Sequence, residues 1–272
     1  MMEKLVITIA PTGNVPTKEL NPSTPVTPEE IVEDLKVCEA LGASVAHIHV
    51  RDSEGKPTCD RSLFSRVIDL MEEHKLTIIR QVSTGARGGG NTAEWRSQML
   101  DLNIEMASLS TGSSNFPSSV NANSPELVEH LISVMNRNGV KPEIEAFDVA
   151  MIDNAKFLLK KNILKGPLHF NLVMNVPGSI AGTPKNLMHM IESLPAESTF
   201  SVMGVGKAQV QMLTMAIVMG GHVRTGLEDV LVMPDKTRAT NQLLMQQVLN
   251  ISKAVGREIA TPNEARELLH LS

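Results

Sequence analysis

The stretch TPEEIVEDLKVCEALGASVAHIHVRD, residues 27–52, holds one complete unit of the pattern that decides the fold. It opens on Thr27-Pro28-Glu29-Glu30, where threonine caps a helix, proline takes the first helical position and glutamates follow. The helix predicted over 28–41 stops at Leu41-Gly42, since glycine adopts the left-handed conformation that ends a helix. The chain then turns apolar and β-branched, which predicts a strand over 44–50 that runs into polar residues at its end.

Working outward, short β-branched runs alternate with longer helix-period segments eight times. Strands are expected at 5–10, 44–50, 77–83, 106–110, 143–147, 168–174, 200–205 and 222–227, with helices near 28–41, 61–74, 92–102, 124–137, 150–161, 184–193, 207–219 and 241–255. Eight strand–helix pairs fit an α/β fold of the (β/α)8 TIM-barrel type better than a doubly wound open sheet, which more commonly has about five to seven strands. With no linker or low-complexity tract, residues 1–272 are expected to form one TIM-barrel domain.

Composition narrows the function. The 272 residues are 42% hydrophobic and 20% charged, a globular profile; Lys+Arg 25 against Asp+Glu 30 gives a net charge of −5. No basic run would recruit a polyanion, so no nucleic-acid partner is expected. Aromatics are 3% with no Tyr, which removes stacking platforms and tyrosine chemistry, and 16 Met take over core filling. Two cysteines, Cys38 and Cys59, exclude a disulfide framework and a Cys-rich metal site and point to a reducing compartment. The apolar start of MMEKLVITIA is too short for a signal segment and no long apolar span follows, so the expected location is cytoplasmic with no membrane partner.

Barrel enzymes place their chemistry at the C-terminal ends of the strands. On the second strand His47 and His49 stand two residues apart and so share a face; the bland reading is a pair of hydrogen-bonded core histidines, the other a metal site. The last strand ends Arg224-Thr225-Gly226-Leu227-Glu228-Asp229, one strand away around the barrel from the histidines' neighbour. Glu228 is the natural third ligand, and a His2Glu set leaves positions open for water or substrate. Arg224 and Asp229 read either as a structural ion pair or as part of the site. Small polar residues crowd three other strand ends: Thr12-Gly13, Ser83-Thr84-Gly85 and Ser108 through Gly112. Such groups bind carboxylates or phosphates, although Ser-Thr-Gly is also ordinary turn chemistry. The glycine-rich loop 85–90 matches neither a P-loop nor a dinucleotide fingerprint. Glu143 and Glu145 share a face of the fifth strand, with Glu145 nearer its catalytic end, and His169 and Asn171 face them from the sixth.

These motifs together resemble the β-keto acid cleavage enzymes. The resemblance runs through Thr8-Ile9-Ala10-Pro11-Thr12-Gly13, His47-Ile48-His49-Val50-Arg51, Val82-Ser83-Thr84-Gly85, Pro142-Glu143-Ile144-Glu145, Asn175-Val176-Pro177-Gly178, Gly221 through Asp229, and Ala260-Thr261-Pro262. It implies a zinc-dependent, homotetrameric TIM barrel that exchanges a β-keto acid and acetyl-CoA, its co-substrate, for acetoacetate and a new acyl-CoA. By the same resemblance His47, His49 and Glu228 look like zinc ligands, and Ser83 with the Thr84-Gly85 backbone looks like the cradle for the substrate carboxylate. Ser108 stands where a relative has threonine, Arg224 and Asp229 resemble the deprotonating dyad, and Glu145 matches an active-site glutamate. The implied chemistry is a retro-Claisen cleavage with zinc polarising the ketone; because arginine rarely loses its proton, Asp229 is expected to take the substrate proton and Arg224 to orient it. The sequence departs from the family's aminohexanoate enzyme at Val15, where that relative has a glutamate for a substrate amine, which implies an uncharged tail.

Three other readings remain at the level of sequence. An amidohydrolase-type hydrolase also uses His-x-His on a barrel strand, but takes further ligands from strands five and six, where His169 is the sole histidine. A metal-dependent aldolase or lyase would act without CoA, and a non-enzyme that merely binds zinc would leave the polar rim idle. Lys207 and Arg87 are candidates for a CoA phosphate or plain surface charges.

Overall fold

The computed structural model describes residues 2–85, 92–117 and 119–271. Arg87 and the rest of the glycine-rich loop beyond Gly85 therefore lie outside the described residues. Among the described residues eight parallel strands close into a barrel in chain order, β1 Ile7–Ile9, β2 Val45–Ile48, β3 Ile79–Val82, β4 Met106–Leu109, β5 Lys141–Ala146, β6 His169–Met174, β7 Thr199–Gly204 and β8 His222–Thr225. The seam closes where β1 pairs with β8, Thr8 opposite Arg224 and Ile9 opposite Thr225. The TIM-barrel expectation holds.

Helices follow each strand: α1 Pro28–Ala40, α2 Arg61–Glu73, α3 Ala93–Ser97, α4 Pro125–Asn138, α5 Val149–Lys160, α6 Pro184–Glu192, α7 Gln209–Val218 and α8 Asn241–Val255. Thr27 caps α1 through the Glu30 amide while the Glu30 carboxylate returns a bond to the Thr27 amide, so the start signal read in the sequence is a full capping box. The third helix is shorter than the predicted 92–102. The chain turns after Ser97, with Leu100 N–H bonded to Ser97 O at 3.0 Å and Leu102 N–H to Met99 O at 3.2 Å, which tucks Met99 and Leu100 into the core outside the helix.

Strand alternation divides the barrel. Outward side chains such as Ile48, Val82, Leu109, Ile144, Leu172 and Val223 pack under the helices in one apolar cluster. Above an apolar bottom layer, inward side chains are polar: Gln81, Ser108, Glu143, His169, Asn171, Ser201 and His222 are all buried in the lumen. At the N-terminal end, α9 Pro262–Leu268 brings Ala265 and Leu269 against Val6, Val45, Ile79 and Met106 and closes the bottom of the barrel. No helix among the described residues is long and apolar enough to cross a membrane.

Two hairpins that the sequence reading treated as loop build the rim. The predicted strand 44–50 leaves the barrel after Ile48, and Val50–Arg51 pairs antiparallel with Pro57–Thr58. After β4, Ser114–Phe116 pairs with Ser119–Asn121. This second hairpin rests on the loop after β6, where Gly178 comes so close that an added Cβ would lie 1.8 Å from the Asn115 carbonyl oxygen. Its φ of +90° also disfavours any L side chain. Gly178→Ala is therefore expected to destabilise the protein by roughly 3 kcal/mol, read as a fall of about 5–10 °C in Tm by calorimetry; an unchanged Tm would show that the hairpin does not depend on this contact.

Candidate active site

The C-terminal mouth of the barrel opens on a cavity of about 370 Å3 that His49, Ser83, Glu145, Arg224, Glu228 and Asp229 line on one side. The geometry starts from a sharp turn after β8. Gly226 has a φ of +146° and an added Cβ would meet the Ala10 carbonyl oxygen at 2.1 Å, so only glycine lets the chain fold back against the end of β1. Asp229 N–H then reaches Gly226 O at 3.0 Å and Glu228 N–H reaches Ala10 O at 3.2 Å, which brings the two consecutive carboxylates back over the lumen. Asn241 at the start of α8 secures the turn, accepting from Leu227 N–H and donating to Pro11 O.

His47 and His49 approach Nε2 to Nε2 at 3.1 Å. His47 Nδ1 lies 2.6 Å from Gln81 Oε1 and His49 Nδ1 lies 3.0 Å from Asn14 Oδ1. An amide oxygen only accepts, so each Nδ1 carries the proton and each Nε2 presents a lone pair. Glu228 completes the group, at 3.3 Å from His49 Nε2 and 3.7 Å from His47 Nε2. Two facing lone pairs and a carboxylate whose Oε2 is buried without a hydrogen bond form a donor set suited to a divalent cation. Burial, together with the nearby Arg224 charge, holds His47 down to about 3, so the ring is not a resident cation. Burial disfavours a charged Glu228, but the Arg224 guanidinium at 2.8 Å outweighs it and holds this carboxylate well below its ordinary range.

Arg224 is the hub of the acidic half. Its guanidinium reaches Glu145 Oε1 at 3.1 Å, Glu228 Oε1 at 2.8 Å and Asp229 Oδ1 at 3.0 Å, with a second bond from Nε to Asp229 Oδ2 at 3.3 Å. One guanidinium cannot neutralise three carboxylates. Burial with this excess of negative charge pushes Glu145 up to about 8 and Asp229 up to about 7, against the pull of Arg224. A second metal-compatible grouping, His47 with Glu143 and Glu145, lies inward of the first. Glu143 is committed to His169 at 3.3 Å, and His169 also meets Thr199 Oγ1 at 2.8 Å.

The sequence-derived candidates thus divide. His47, His49, Glu145, Arg224, Glu228 and Asp229 converge, Ser83 and Gly85 line the cavity, and Val15 stands at its rim, 56% exposed. Thr84 and Ser108 sit beneath the wall and bond to each other, Thr84 Oγ1 to Ser108 O at 2.7 Å and Thr84 N–H to Ser108 Oγ at 3.2 Å; Ser110, two residues on, lines the cavity instead. Gln81 and Asn14 were missed. Gln81 shares a face with Ser83 by strand alternation and was within reach of that rule; Asn14 lies in an irregular loop for which no such rule exists. The opposite wall is apolar, formed by Phe116, Phe147, Val173, Val176 and Met203, with the two phenylalanine rings 5.5 Å apart.

Gly13 supports Glu228 from behind: its φ is +68°, and an added Cβ would lie 2.4 Å from Glu228 Cγ. Gly13→Ala is expected to displace the carboxylate and lower bound divalent metal, measured by elemental analysis after dialysis, at least tenfold in affinity, as is usual for disturbed metal sites. Metal content equal to that of the parent would show that Glu228 is not a ligand.

The profile of the beta-keto acid cleavage enzyme family matches residues 4–271. The chain is 44% identical over 273 residues, covering 100% of both chains, to a protein of Acetoanaerobium sticklandii called 3-keto-5-aminohexanoate cleavage enzyme. It is 38% identical to the 3-oxoadipate:acetyl-CoA acetyltransferase of Cupriavidus necator over 100% of this chain and 96% of that one. Among solved structures, the apo structure of ObcA shares the fold with a TM-score of 0.82 at 22% identity, over 92% of this chain and 66% of that longer one.

Proposed function

Since this chain belongs to the beta-keto acid cleavage enzyme family, we propose that it converts a β-keto acid and acetyl-CoA into acetoacetate and the acyl-CoA of the remaining fragment, with zinc held by His47, His49 and Glu228. The observation that carries this reading is the convergence of two unprotonated imidazole nitrogens and Glu228 beside Asp229 and Arg224 at the cavity floor. The residues fit the ion: the donors are of the His2Glu type and the surrounding carboxylates leave uncompensated negative charge. Zinc, when bound, supplies Lewis-acid polarisation of the substrate ketone.

The chain's own residues account for the remaining work. Ser83 Oγ accepts from the Gly85 amide at 3.1 Å and faces the cavity, placing a small polar cradle where the substrate carboxylate binds, with Thr84 and Ser108 holding it from below. Asp229 takes a proton from C2 of the β-keto acid, while Arg224 orients Asp229 with two bonds. The resulting enolate forms a bond to the thioester carbonyl carbon and CoA thiolate leaves. That thiolate adds to the substrate's original ketone carbon, the bond from this carbon to C2 breaks, and the proton on Asp229 returns to C2 to give acetoacetate. Glu145 lies across Arg224 from Asp229 and, held neutral around pH 7 by burial, leaves the arginine's charge available to the reacting oxygens. Neither Cys38 nor Cys59 offers a nucleophile: both are buried, and burial pushes the Cys59 thiol up to about 11.

The same reading takes residues 1–272 as one domain acting in the cytoplasm as a homotetramer. The amidohydrolase alternative loses its further ligand, because His169 is paired with Glu143 below the site. Val15 at the rim and the wall of Phe116 and Val176 favour an uncharged acyl tail.

In an assay with zinc, acetyl-CoA and a panel of β-keto acids, acetoacetate is expected only when both substrates are present, and His47→Ala or Asp229→Ala should lower kcat/KM by at least about 100-fold. Turnover without acetyl-CoA would instead assign the protein to the lyases or hydrolases. Val15→Glu should raise kcat/KM for amino-substituted β-keto acids relative to neutral ones by about tenfold; unchanged relative values would remove Val15 from the specificity determinants.

A further inference from the structure

Arg96 on α3 is, with Arg224, one of the two largest side chains sealed in the interior, yet nothing in the proposed chemistry uses it. Where Arg224 meets three carboxylates, Arg96 meets none. Its Nε–H donates to Thr84 O at 2.6 Å, its Nη1–H to Ala122 O at 2.9 Å and its Nη2–H to Asn123 Oδ1 at 2.8 Å, all of them neutral acceptors, and among the described residues it forms no ion pair. The chain between Gly85 and Thr92, Ala-Arg-Gly-Gly-Gly-Asn, contains no acid either. Taking an ion out of water is unfavourable, and neutral acceptors offset only part of that; an anion arriving nearby supplies the rest.

The first of these bonds leads to the cavity. Thr84 O and Gly85 N–H belong to one peptide group, so a cation on the oxygen polarises the amide at its other end. That amide donates to Ser83 Oγ at 3.1 Å, and no acceptor among the described residues takes the Ser83 hydroxyl proton, although the side chain lines the cavity. Hydrogen bonds in series strengthen one another in a low-dielectric interior, so the charge on Arg96 makes the Ser83 hydroxyl a stronger donor. Resting on the transferase reading above, which seats the substrate carboxylate on Ser83, we infer that Arg96 is a positioning residue that acts on that carboxylate without touching it, through the Thr84–Gly85 peptide and the Ser83 hydroxyl. The other two arms hold the guanidinium in this orientation. Asn123, which accepts from Nη2, donates through its side chain to Gly112 O at 3.0 Å and through its backbone N–H to Ser113 Oγ at 2.8 Å. The loop after β4 thereby braces Arg96 against the segment after β3, and the fork of the guanidinium serves both.

Calorimetric titration of the zinc-loaded protein with acetoacetate, and with acetoacetamide as its neutral isostere, tests this alongside steady-state kinetics. The parent protein should bind acetoacetate at least about tenfold more tightly than the amide. Arg96→Gln, which removes the charge and keeps a polar side chain, should raise Kd for acetoacetate and KM for the β-keto acid about tenfold, while Kd for acetoacetamide and KM for acetyl-CoA stay within about twofold. Arg96→Lys, which keeps the charge, should restore most of that affinity. In a Ser83→Ala background, where the hydroxyl is gone, Arg96→Gln should change Kd for acetoacetate by less than about threefold. Circular dichroism and metal content check that each variant keeps the fold and the site, and the parent's own preference for the anion is measurable where a variant does not fold. Equal losses for acetoacetate and its amide, no restoration by lysine, or the same effect of Arg96→Gln with and without the Ser83 hydroxyl overturns the inference and leaves the transferase reading standing. A parent that turns over β-keto acids yet binds both titrants alike overturns it equally. A parent that turns over no β-keto acid with acetyl-CoA removes the transferase reading itself, and this inference with it.

Discussion

The Arg224 guanidinium, buried between Glu145, Glu228 and Asp229, is the interaction on which the rest of the site depends. A fully buried arginine is tolerated only when its donors are met, and here carboxylates from two strand ends meet them. The arrangement fixes the positions of Glu228 and Asp229 relative to each other. Because one positive charge faces three potential negative ones, the site is built with a deficit of positive charge. That deficit separates the three carboxylates into different states: Glu228 is held ionised well below its ordinary range, while Asp229 and Glu145 are pushed up to about 7 and about 8. A divalent cation at the proposed histidine site would relieve the same deficit.

The backbone is shaped to permit this concentration of charge. Gly13 and Gly226 both lie where any Cβ would strike a neighbour, one against the Glu228 side chain and the other against the backbone of β1. Arg51, also buried, donates to the carbonyl oxygens of Gly13 and Pro16 from Nη2 and of Gly55 from Nη1. It thereby holds the loop after β1, with Asn14 and Val15, in place over the metal-ligand candidates. Asn14 in that loop orients His49 and Gln81 on β3 orients His47, so the rim loop and the barrel wall each set one imidazole. The polar lumen below continues the pattern: Glu143 is balanced by His169, and Asn171 and Ser201 meet at 3.3 Å.

The two sides of the cavity perform different tasks. Strand ends supply charged and hydrogen-bonding groups because every strand of a parallel barrel points its C-terminus at the same rim. The hairpin after β4 and the loop after β6 add Phe116 and Val176 to the apolar wall that Phe147, Val173 and Met203 begin, and the two segments meet backbone to backbone at Gly178.

Much of this was legible in the residues alone. Strand alternation is strictly periodic, so His47 and His49 on one face, and Glu143 and Glu145 on another, followed from spacing, as did the eight-fold count of strand and helix units and the capped helix at Thr27. The predicted helix 92–102 outruns the observed one because apolar Met99 and Leu100 continue a plausible helical pattern, whereas the backbone turns after Ser97. The hairpins escaped notice since their strands are two or three residues long, too short for any period to register. Tertiary structure alone decided that Ser108 lies beneath the cavity and Ser110 in it, and that the amides of Gln81 and Asn14 set the two imidazole tautomers. The sequence determined which residue types stand at which strand ends because that depends on local periodicity. Which of them touch depends on closing the sheet, where β1 meets β8 and Arg224 comes within reach of Glu145, 79 residues away.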